Sequence, residues 1–241
     1  MSTRPTRSAA EEVLSVGFPP DLFFHPADIV APYVLGSTLR RGPVALMITE
    51  VEAYLGEADP ASHASRGPTP RCATMFGPPL HLYVYASYGI HRAGNVVCCP
   101  EGVASGLLLR AGRVIDGYDV VRSRRGDRPE DDGLARGPGN VGSALGLDLH
   151  LDGMPIVVDD GVGTAGEPDA QADVDAHVVD VGNPEAPELR LSRARDEDDI
   201  APYVTGPRIG ISKNKEAPLR FWIPGDRSVT PPRGCPRRPT G

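Results

Sequence analysis

The chain has few of the features that mark several common protein classes. Its four cysteines (Cys72, Cys98, Cys99 and Cys235) form no CxxC pair, so neither a disulfide framework nor a zinc site is predicted. No apolar run approaches the about 20 residues that a membrane helix needs. The first ten residues are polar, unlike a signal peptide. We therefore expect a soluble protein of a reducing cytoplasm, with no membrane contact.

Lysine is also scarce, and the charge is unevenly spread. Lys213 and Lys215 are the only lysines among 25 basic residues, and the net charge is −7. Residues 127–200 contain 5 basic and 19 acidic side chains, whereas residues 60–126 and 201–241 each contain 8 basic side chains against 3 and 2 acidic ones. A polyanion is met by a local basic face rather than by net charge. The composition therefore does not exclude a nucleic-acid partner.

Short strands dominate the predicted secondary structure. A hairpin is predicted from Ser37–Arg41 and Val44–Tyr54, and the alternating run Leu82–Ser87 predicts another strand that returns at Asn95–Cys99. Gly106–Arg110 reads as a further strand. The other predicted elements are two helical pieces between Pro19 and Leu35 with an interruption at Pro32, helices at Ile115–Arg124 and Gly139–Leu147, and short strands around Pro207–Gly210 and Leu219–Ile223.

These elements predict an α+β protein with a single compact domain. We expect an antiparallel or mixed, open barrel-like sheet with surrounding short helices and a protruding β-hairpin. The domain is predicted over residues 16–226, between flexible tails at 1–15 and 227–241. The Gly-rich acidic stretch at about 159–176 predicts a surface loop.

Two carboxylates follow the apolar run Val44–Ile48. On a strand, Glu50 and Glu52 lie on one face about 7 Å apart, a geometry that suits acid–base work on a glycosidic bond. The alternative is a pair of solvated strand-end glutamates. Because the preceding residues are apolar, we expect partial burial, which raises a carboxyl pKa.

Tyrosines and arginines are concentrated in the same third of the chain. Tyr54, Tyr83, Tyr85 and Tyr88 fall within 35 residues, near His63. A tyrosine-lined core would explain them structurally. The segment also contains arginines, and aromatic platforms beside arginines suit stacking on bases and binding of phosphates; the arginines are Arg66, Arg71, Arg92, Arg110 and Arg113.

One literal GxGxxG motif spans Gly137–Gly142. The charged residues before it are predicted to form a loop and not a strand, so a dinucleotide site is not predicted. A helix N-terminus that offers amides to a DNA phosphate fits the context better.

The central run resembles the alkyladenine (3-methyladenine) DNA glycosylase family. The similarity extends over most of Leu35–Ile223 and is densest over about 60 residues. Its motifs are Glu50-Val-Glu52-Ala-Tyr54-Leu-Gly56, His63, Thr69-Pro-Arg71, Met75-Phe76, Leu82-Tyr-Val-Tyr85 with Tyr88-Gly89, Asn95, and Leu108-Leu-Arg110-Ala111, with weaker echoes at Gly137-Pro138, Ala144–Gly146 and Pro218–Phe221.

The resemblance implies a monofunctional enzyme of base excision repair. It would flip alkylated or deaminated purine nucleotides (the 3-methyladenine, hypoxanthine and ethenoadenine class) out of double-stranded DNA, cut the N-glycosidic bond and leave an abasic site. The implied catalytic residues are Glu52, which would activate water, and Arg110, which would help to hold it. Tyr54, His63, Tyr85 and Asn95 would bind the base, and Tyr88, Thr69 and Arg71 would bind DNA.

No metal and no cofactor are expected. We expect a monomer in a cytoplasm of bacterial type, associated with the nucleoid through DNA binding. Both lysines lie far in sequence from the implied pocket, which favours attack by water over attack by an amine. Two alternatives remain: a glycoside hydrolase that uses Glu50 and Glu52, and a nucleic-acid-binding homologue that has lost the chemistry.

Overall fold

The sheet is built around two long antiparallel strands, β2 (Val44–Tyr54) and β5 (Ser105–Asp116). The computed structural model describes residues 17–19, 21–87, 89, 91–159, 188–193 and 200–231. Almost every residue of β2, and of β5 as far as Arg113, is buried or half-buried. Both strands are therefore covered on their two faces over most of their length, as the apolar run in β2 predicts.

Ten strands and three α-helices occur among the described residues. The other strands are β1 (Thr38–Arg41), β3 (Leu82–Ser87), β4 (His91–Cys98), β6 (Ala135–Arg136), β7 (Ile156–Asp159), β8 (Leu189–Ser192), β9 (Val204–Gly206) and β10 (Arg220–Trp222). The helices are α1 (Ala27–Val34), α2 (Tyr118–Arg125) and α3 (Pro138–Leu145), and short 3₁₀ turns lie at Leu22–Phe24, Gly56–Ala58, Ala73–Phe76, Asp131–Gly133 and Leu149–Leu151.

All ten strands belong to one curled, mixed sheet. Its main path runs β3-β4-β5-β2-β1-β8-β7, while β6 pairs with β5, and β10 pairs with β2 and β9. Only the β7–β8 pair is parallel among the described pairs. This half-barrel with its helices is the α+β fold that the sequence predicts.

The edge of β2 that faces away from β5 pairs with two different strands. Val44–Met47 pairs with β1, and Glu50–Glu52 pairs with β10. Between the two halves, the ladder with β5 skips Thr49 on β2 and then Arg110 on β5. Such irregularities bend a strand and redirect its side chains. Here they lie on both sides of Glu50 and next to Val51, which precedes Glu52.

The helices cover the sheet from several sides. Helix α1 packs against β2 and β5, and α3 packs against β4 and β5. Gly142 in α3 permits a very close approach, because a Cβ atom there would lie 1.9 Å from the carbonyl oxygen of Arg92. The main core lies between these layers, with Leu39, Leu46, Ile48, Leu107, Leu109 and Leu145 all fully buried.

Several predicted boundaries differ from the structure. Pro32 lies in the second half of the eight-residue helix α1 and does not interrupt it. A proline there lacks one N–H donor to the preceding turn, and the helix continues only two residues beyond it. Strand β5 continues to Asp116, so α2 begins three residues later than predicted, at Tyr118. The predicted strand around Pro207–Gly210 is wrong: β9 ends at Gly206 and a loop follows.

The predicted tails and acidic loop fall largely outside the described residues. Residues 1–15, 160–176 and 232–241 are all in that category. The predicted start of the C-terminal tail at residue 227 differs from the structure, because Ser228 is fully buried and bonded to Thr49, and the Thr230 backbone N–H donates to Glu50.

Candidate active site

One cavity of about 590 Å³ opens where β2, β3, β4 and β5 meet two loops. The loops are residues 55–79 and 207–214, and they contribute side chains such as His63 and Lys213 to the lining. Of the predicted site residues, the structure brings seven together around this cavity: Glu52, Tyr54, His63, Arg71, Tyr85, Asn95 and Arg110.

Glu52 is the carboxylate that lines the cavity. Its side chain is fully buried. Oε1 accepts the backbone N–H of Ile209 at 2.7 Å and lies 3.3 Å from Nη1 of Arg110, while Oε2 accepts the Tyr54 hydroxyl at 3.0 Å. Burial raises the pKa of Glu52, and these three partners offset only part of that rise. A carboxylate oxygen can accept two hydrogen bonds, so Oε2 can accept one more in addition to that of Tyr54.

Glu50 is equally buried but points into an ion-pair cluster instead of the cavity. Its Oε1 accepts Nε of Arg110 at 2.9 Å and Nε of Arg220 at 2.6 Å, and its Oε2 accepts the Thr230 N–H at 2.7 Å. Two guanidinium partners and a backbone N–H fix the position of this buried side chain. Glu50 does not line the cavity, so its geometry suits support of Arg110 rather than proton transfer.

Arg110 joins the two carboxylates. It lies at one of the register shifts of the β2–β5 ladder, between Ala111 and Leu109, and its side chain is almost completely buried. Nε binds Glu50 while Nη1 reaches Glu52. A guanidinium fixed in this way can bind one further anionic or polar atom in the cavity without moving.

An aromatic wall lies across the cavity. Tyr83 and Tyr85 stack with their ring centroids 5.6 Å apart, and the His63 ring meets Tyr85 edge-on at 4.6 Å. His63 Nδ1 is hydrogen-bonded to the Tyr83 hydroxyl at 2.9 Å. Partial burial, and then the charge of Arg71, lower the pKa of His63. The imidazole is therefore neutral at physiological pH.

Asn95 is held in one orientation. Its amide Nδ2 donates to the backbone oxygen of Tyr83 at 3.1 Å, across the β3–β4 pair. Only 4% of the residue is exposed. The side chain therefore presents a fixed polar group to the cavity.

A buried arginine outside the cavity lining packs against the ring of Tyr54. The Arg208 guanidinium lies 4.5 Å from the Tyr54 ring centroid and does not line the cavity. It donates to Asp59 through two nitrogens, at 2.5 and 2.9 Å, and to the backbone oxygen of Ala53. Burial and the Glu52 charge raise the pKa of Tyr54, so its hydroxyl stays protonated and can donate to Glu52.

Sequence reasoning missed the loop at 207–214. Ile209 contributes a backbone amide, which no side-chain motif reveals, and Arg208 and Asp59 make contacts that are distant in sequence. Lys213, although far in sequence from the predicted pocket residues, lines the cavity. An Arg-Ile-Gly sequence after a short strand was the available signal, because glycine at position 210 permits its positive φ of 81°.

The residues predicted to bind DNA divide into three cases. Arg71 is exposed and lines the cavity. Thr69 is exposed but does not line it, and its hydroxyl contacts the Cys72 sulfur at 3.1 Å. Tyr88 lies outside the described residues, between Ser87 at the end of β3 and Gly89 in the hairpin turn.

The described part of the chain contains neither a metal-ligand cluster nor a membrane-spanning helix. No three His, Cys, Asp or Glu side chains there are grouped as possible ligands of a metal ion. None of the helices there is long and apolar enough to span a bilayer.

The sequence matches one protein family and several of its named members over most of the chain. The sequence profile of the methylpurine-DNA glycosylase family matches residues 21–227. A protein of Corynebacterium jeikeium is 57% identical over 212 residues, which cover 88% of this chain and 91% of that protein. Relatives from Cutibacterium acnes and Nocardia farcinica are 49% and 46% identical, with 86% of this chain covered in each case and 96% and 87% of the relatives. All three carry the name 3-methyladenine DNA glycosylase.

Proposed function

The chain belongs to the methylpurine-DNA glycosylase family, and from that premise we propose that it hydrolyses the N-glycosidic bond of damaged purines with a water molecule activated by Glu52. The family makes it a DNA repair enzyme, a hydrolase that acts on N-glycosidic bonds in DNA. The proposal concerns how its residues carry out this reaction and on which bases.

The proposal depends above all on the different surroundings of the two glutamates. Glu52 lines the cavity with a raised pKa, and Glu50 is turned away between two arginines. A general base works best when its pKa lies closer to the working pH than that of an ordinary carboxylate. The same contrast disfavours a two-carboxylate glycoside hydrolase, because Glu50 does not reach the cavity.

The reaction proceeds by one displacement at the sugar C1′. Glu52 accepts a proton from the bound water, the water oxygen forms a bond to C1′, and the C1′–N bond breaks with its electron pair going to the purine. A purine alkylated at N3 or N7 is cationic and leaves as a neutral molecule. A neutral lesion such as hypoxanthine leaves as an anion, which then takes a proton from solvent water. Arg110 would orient the water from the other side of the Glu52 carboxylate.

The walls of the cavity favour an extrahelical base. Flipping a nucleotide costs a few kcal/mol of stacking, and each base–aromatic contact can return about 1–3 kcal/mol. Tyr54 would form one wall, and Tyr85 with the neutral His63 would form the other. Stacking reads the π-face rather than the base edge, so several alkylated or deaminated purines would be accepted.

Asn95 would supply discrimination against normal guanine. Because its amide nitrogen is committed to Tyr83, the side chain cannot rotate freely to make room for an additional amino group. A 2-amino substituent would meet this fixed, buried amide, and an unsatisfied or displaced polar group there costs about 1–3 kcal/mol.

The decisive experiment is excision from a duplex that carries one hypoxanthine or one ethenoadenine. Strand breaks after alkali treatment should appear with the wild-type protein and disappear with Glu52→Gln. Binding of the same duplex by Glu52→Gln should persist, because the substitution removes the base and keeps the cavity. No alkali-labile site from either lesion or from 3-methyladenine DNA would overturn the proposal, and binding without excision by the wild type would favour the inactive homologue.

A further inference from the structure

We propose that the buried Asp59–Arg208 ion pair positions the catalytic carboxylate, by fixing both Tyr54 and the backbone amide of Ile209 against Glu52. This inference deepens the proposed function and rests on it. Neither Asp59 nor Arg208 lines the cavity, so both would act as positioning residues and not as catalytic ones.

The first connection runs through the Tyr54 ring. The Arg208 guanidinium covers the ring at 4.5 Å, and the hydroxyl of that ring donates to Oε2 of Glu52 at 3.0 Å. An aromatic ring in contact with a fixed guanidinium loses freedom to tilt or slide. The position of the hydroxyl is then determined by the position of Arg208.

The second connection runs through the backbone. Ile209, the neighbour of Arg208, donates its N–H to Oε1 of Glu52 at 2.7 Å. Arg208 is held by the Asp59 carboxylate and by the Ala53 carbonyl on β2, so the peptide that carries this N–H is tied to the same strand as Glu52. One side chain thus controls a donor to each oxygen of the carboxylate.

Asp59 itself connects two loops. It accepts the Asn214 side chain at 3.1 Å and the Ala61 backbone N–H at 3.1 Å, in addition to Arg208. Burial by itself would raise the pKa of Asp59, but these hydrogen bonds outweigh it and the net shift is downward. The carboxylate therefore stays charged and holds both ends of loop 207–214 in place.

Stability alone is a weak explanation for this arrangement. A buried ion pair pays a desolvation cost that its attraction often fails to exceed, and apolar side chains of similar volume are frequently as stabilising. The Arg208 side chain is completely buried, and its Nε has no hydrogen-bond partner. The contribution of the ion pair is geometric, because it fixes the two hydrogen-bond donors, from Tyr54 and Ile209, to the Glu52 carboxylate.

The experiment measures how the single-turnover excision rate of the hypoxanthine duplex depends on pH. Arg208→Lys and Asp59→Asn weaken the pair while they keep most of its volume. Since the hydrogen bonds from Ile209 and Tyr54 hold down the pKa of Glu52, loosening them should move the acidic limb upward by about one pH unit. The plateau rate should fall about tenfold from lost alignment. Other charged or titratable groups near Glu52 are Glu50, Arg110, Arg220, Arg71, His63, Tyr83, Tyr85 and Lys213, and none of them is altered.

Arg193→Lys provides a matched control. Arg193 is also buried and lies over an aromatic ring, 5.4 Å from the Tyr33 centroid, but it is not a cavity residue. Rates are normalised to the folded fraction measured by circular dichroism. The acidic limb of the pH–rate profile of Arg193→Lys should coincide with that of the wild type even if the variant is less stable. A purely structural defect lowers the rate by the same factor at every pH.

A double-mutant cycle tests the connection directly. Tyr54→Phe removes the hydroxyl and keeps the ring, and its limb shift should add less than fully to that of Arg208→Lys. If one variant of the pair fails to fold, the other completes the test. The inference would be overturned if the acidic limb of the pH–rate profile did not move in the folded variants, or if the shifts of Tyr54→Phe and Arg208→Lys were fully additive. In either case, excision by the wild type would still support the proposed function. Absence of wild-type excision would instead reject the proposed function.

Discussion

The backbone N–H of Ile209 donates to Oε1 of Glu52 at 2.7 Å, across 157 positions of sequence. Glu52 is thereby a carboxylate with one donor on a loop, one on its own strand and one on β5, in a site from which Glu50 is excluded. The predictions below follow from this division between the two glutamates and from the charges around the cavity.

Exchange of each glutamate for glutamine should separate their roles. Glu52→Gln should lower the single-turnover excision rate by about 10²–10⁴-fold, the range for loss of a general base. Glu50→Gln removes the anion bound to buried Arg220 and one of the two carboxylates bound to Arg110, and should cost about 3 kcal/mol of stability. Thermal melts and excision assays on both variants check this. Near-normal excision by Glu52→Gln together with loss in folded Glu50→Gln would assign the base to Glu50.

The rate should rise with pH on its acidic side. The reaction needs the Glu52 carboxylate, and burial raises its pKa above the ordinary value of 4.5. The midpoint of the acidic limb should therefore lie above 4.5. His63→Phe, which keeps an aromatic wall, should leave that midpoint in place, because the neutral imidazole does not transfer the proton. A limb that disappears in this variant would assign it to the histidine.

The stability of Glu52→Gln relative to wild type should depend on pH. A raised folded-state pKa means that Glu52 stabilises the fold fully below its unfolded pKa of about 4.3, and that this contribution is lost as pH rises through the folded value. Glutamine does not ionise, so the variant should gain in relative melting temperature from acidic to neutral pH. Each unit of upward shift corresponds to about 1.4 kcal/mol. An unchanged difference in melting temperature across the range would show that burial does not destabilise the charged form.

Arg71 should bind a DNA phosphate beside the cavity. Arg71→Ala should weaken binding to lesion and normal duplexes alike, and should reduce the slope of log K against log salt by about 1. Arg40→Ala is a suitable control, because Arg40 is partly exposed, paired with Asp116, and outside the cavity lining. Fluorescence anisotropy at several salt concentrations gives both slopes, and equal slopes for wild type and Arg71→Ala would exclude the phosphate contact.

Borohydride should trap no covalent adduct between protein and DNA during turnover. A Schiff base at C1′ requires an amine activated by a desolvated or cationic environment. Lys213 lines the cavity, but its side chain is exposed. Lys215, two residues away and not in the lining, is the matched comparison. An adduct lost in Lys213→Ala and retained in Lys215→Ala would replace hydrolysis by amine catalysis.

The sequence predicts the strands of this site better than its loops. The ends of β2 and β3 agree with the prediction, because an apolar run and a two-residue alternation depend on neighbours in the chain. The motifs also identify most cavity-lining side chains. The contacts of Ile209 with Glu52 and of Arg208 with Tyr54 join segments more than 150 positions apart. Local pattern contains no information on which distant loop will supply a backbone donor, so these contacts required the structure.

The cluster around Glu50 also constrains when the enzyme can mature during synthesis. Strand β2 leaves the ribosome early, but the partners of its buried carboxylate include Arg220 and the Thr230 amide. A nascent chain that stops short of residue 220 has a half-barrel in which this charge lacks two of its three donors. Because such a charge opposes burial, the sheet can close around β2 only on a nearly finished polypeptide. Prematurely terminated products would therefore remain open, and would be substrates for proteases instead of inert competitors for damaged DNA.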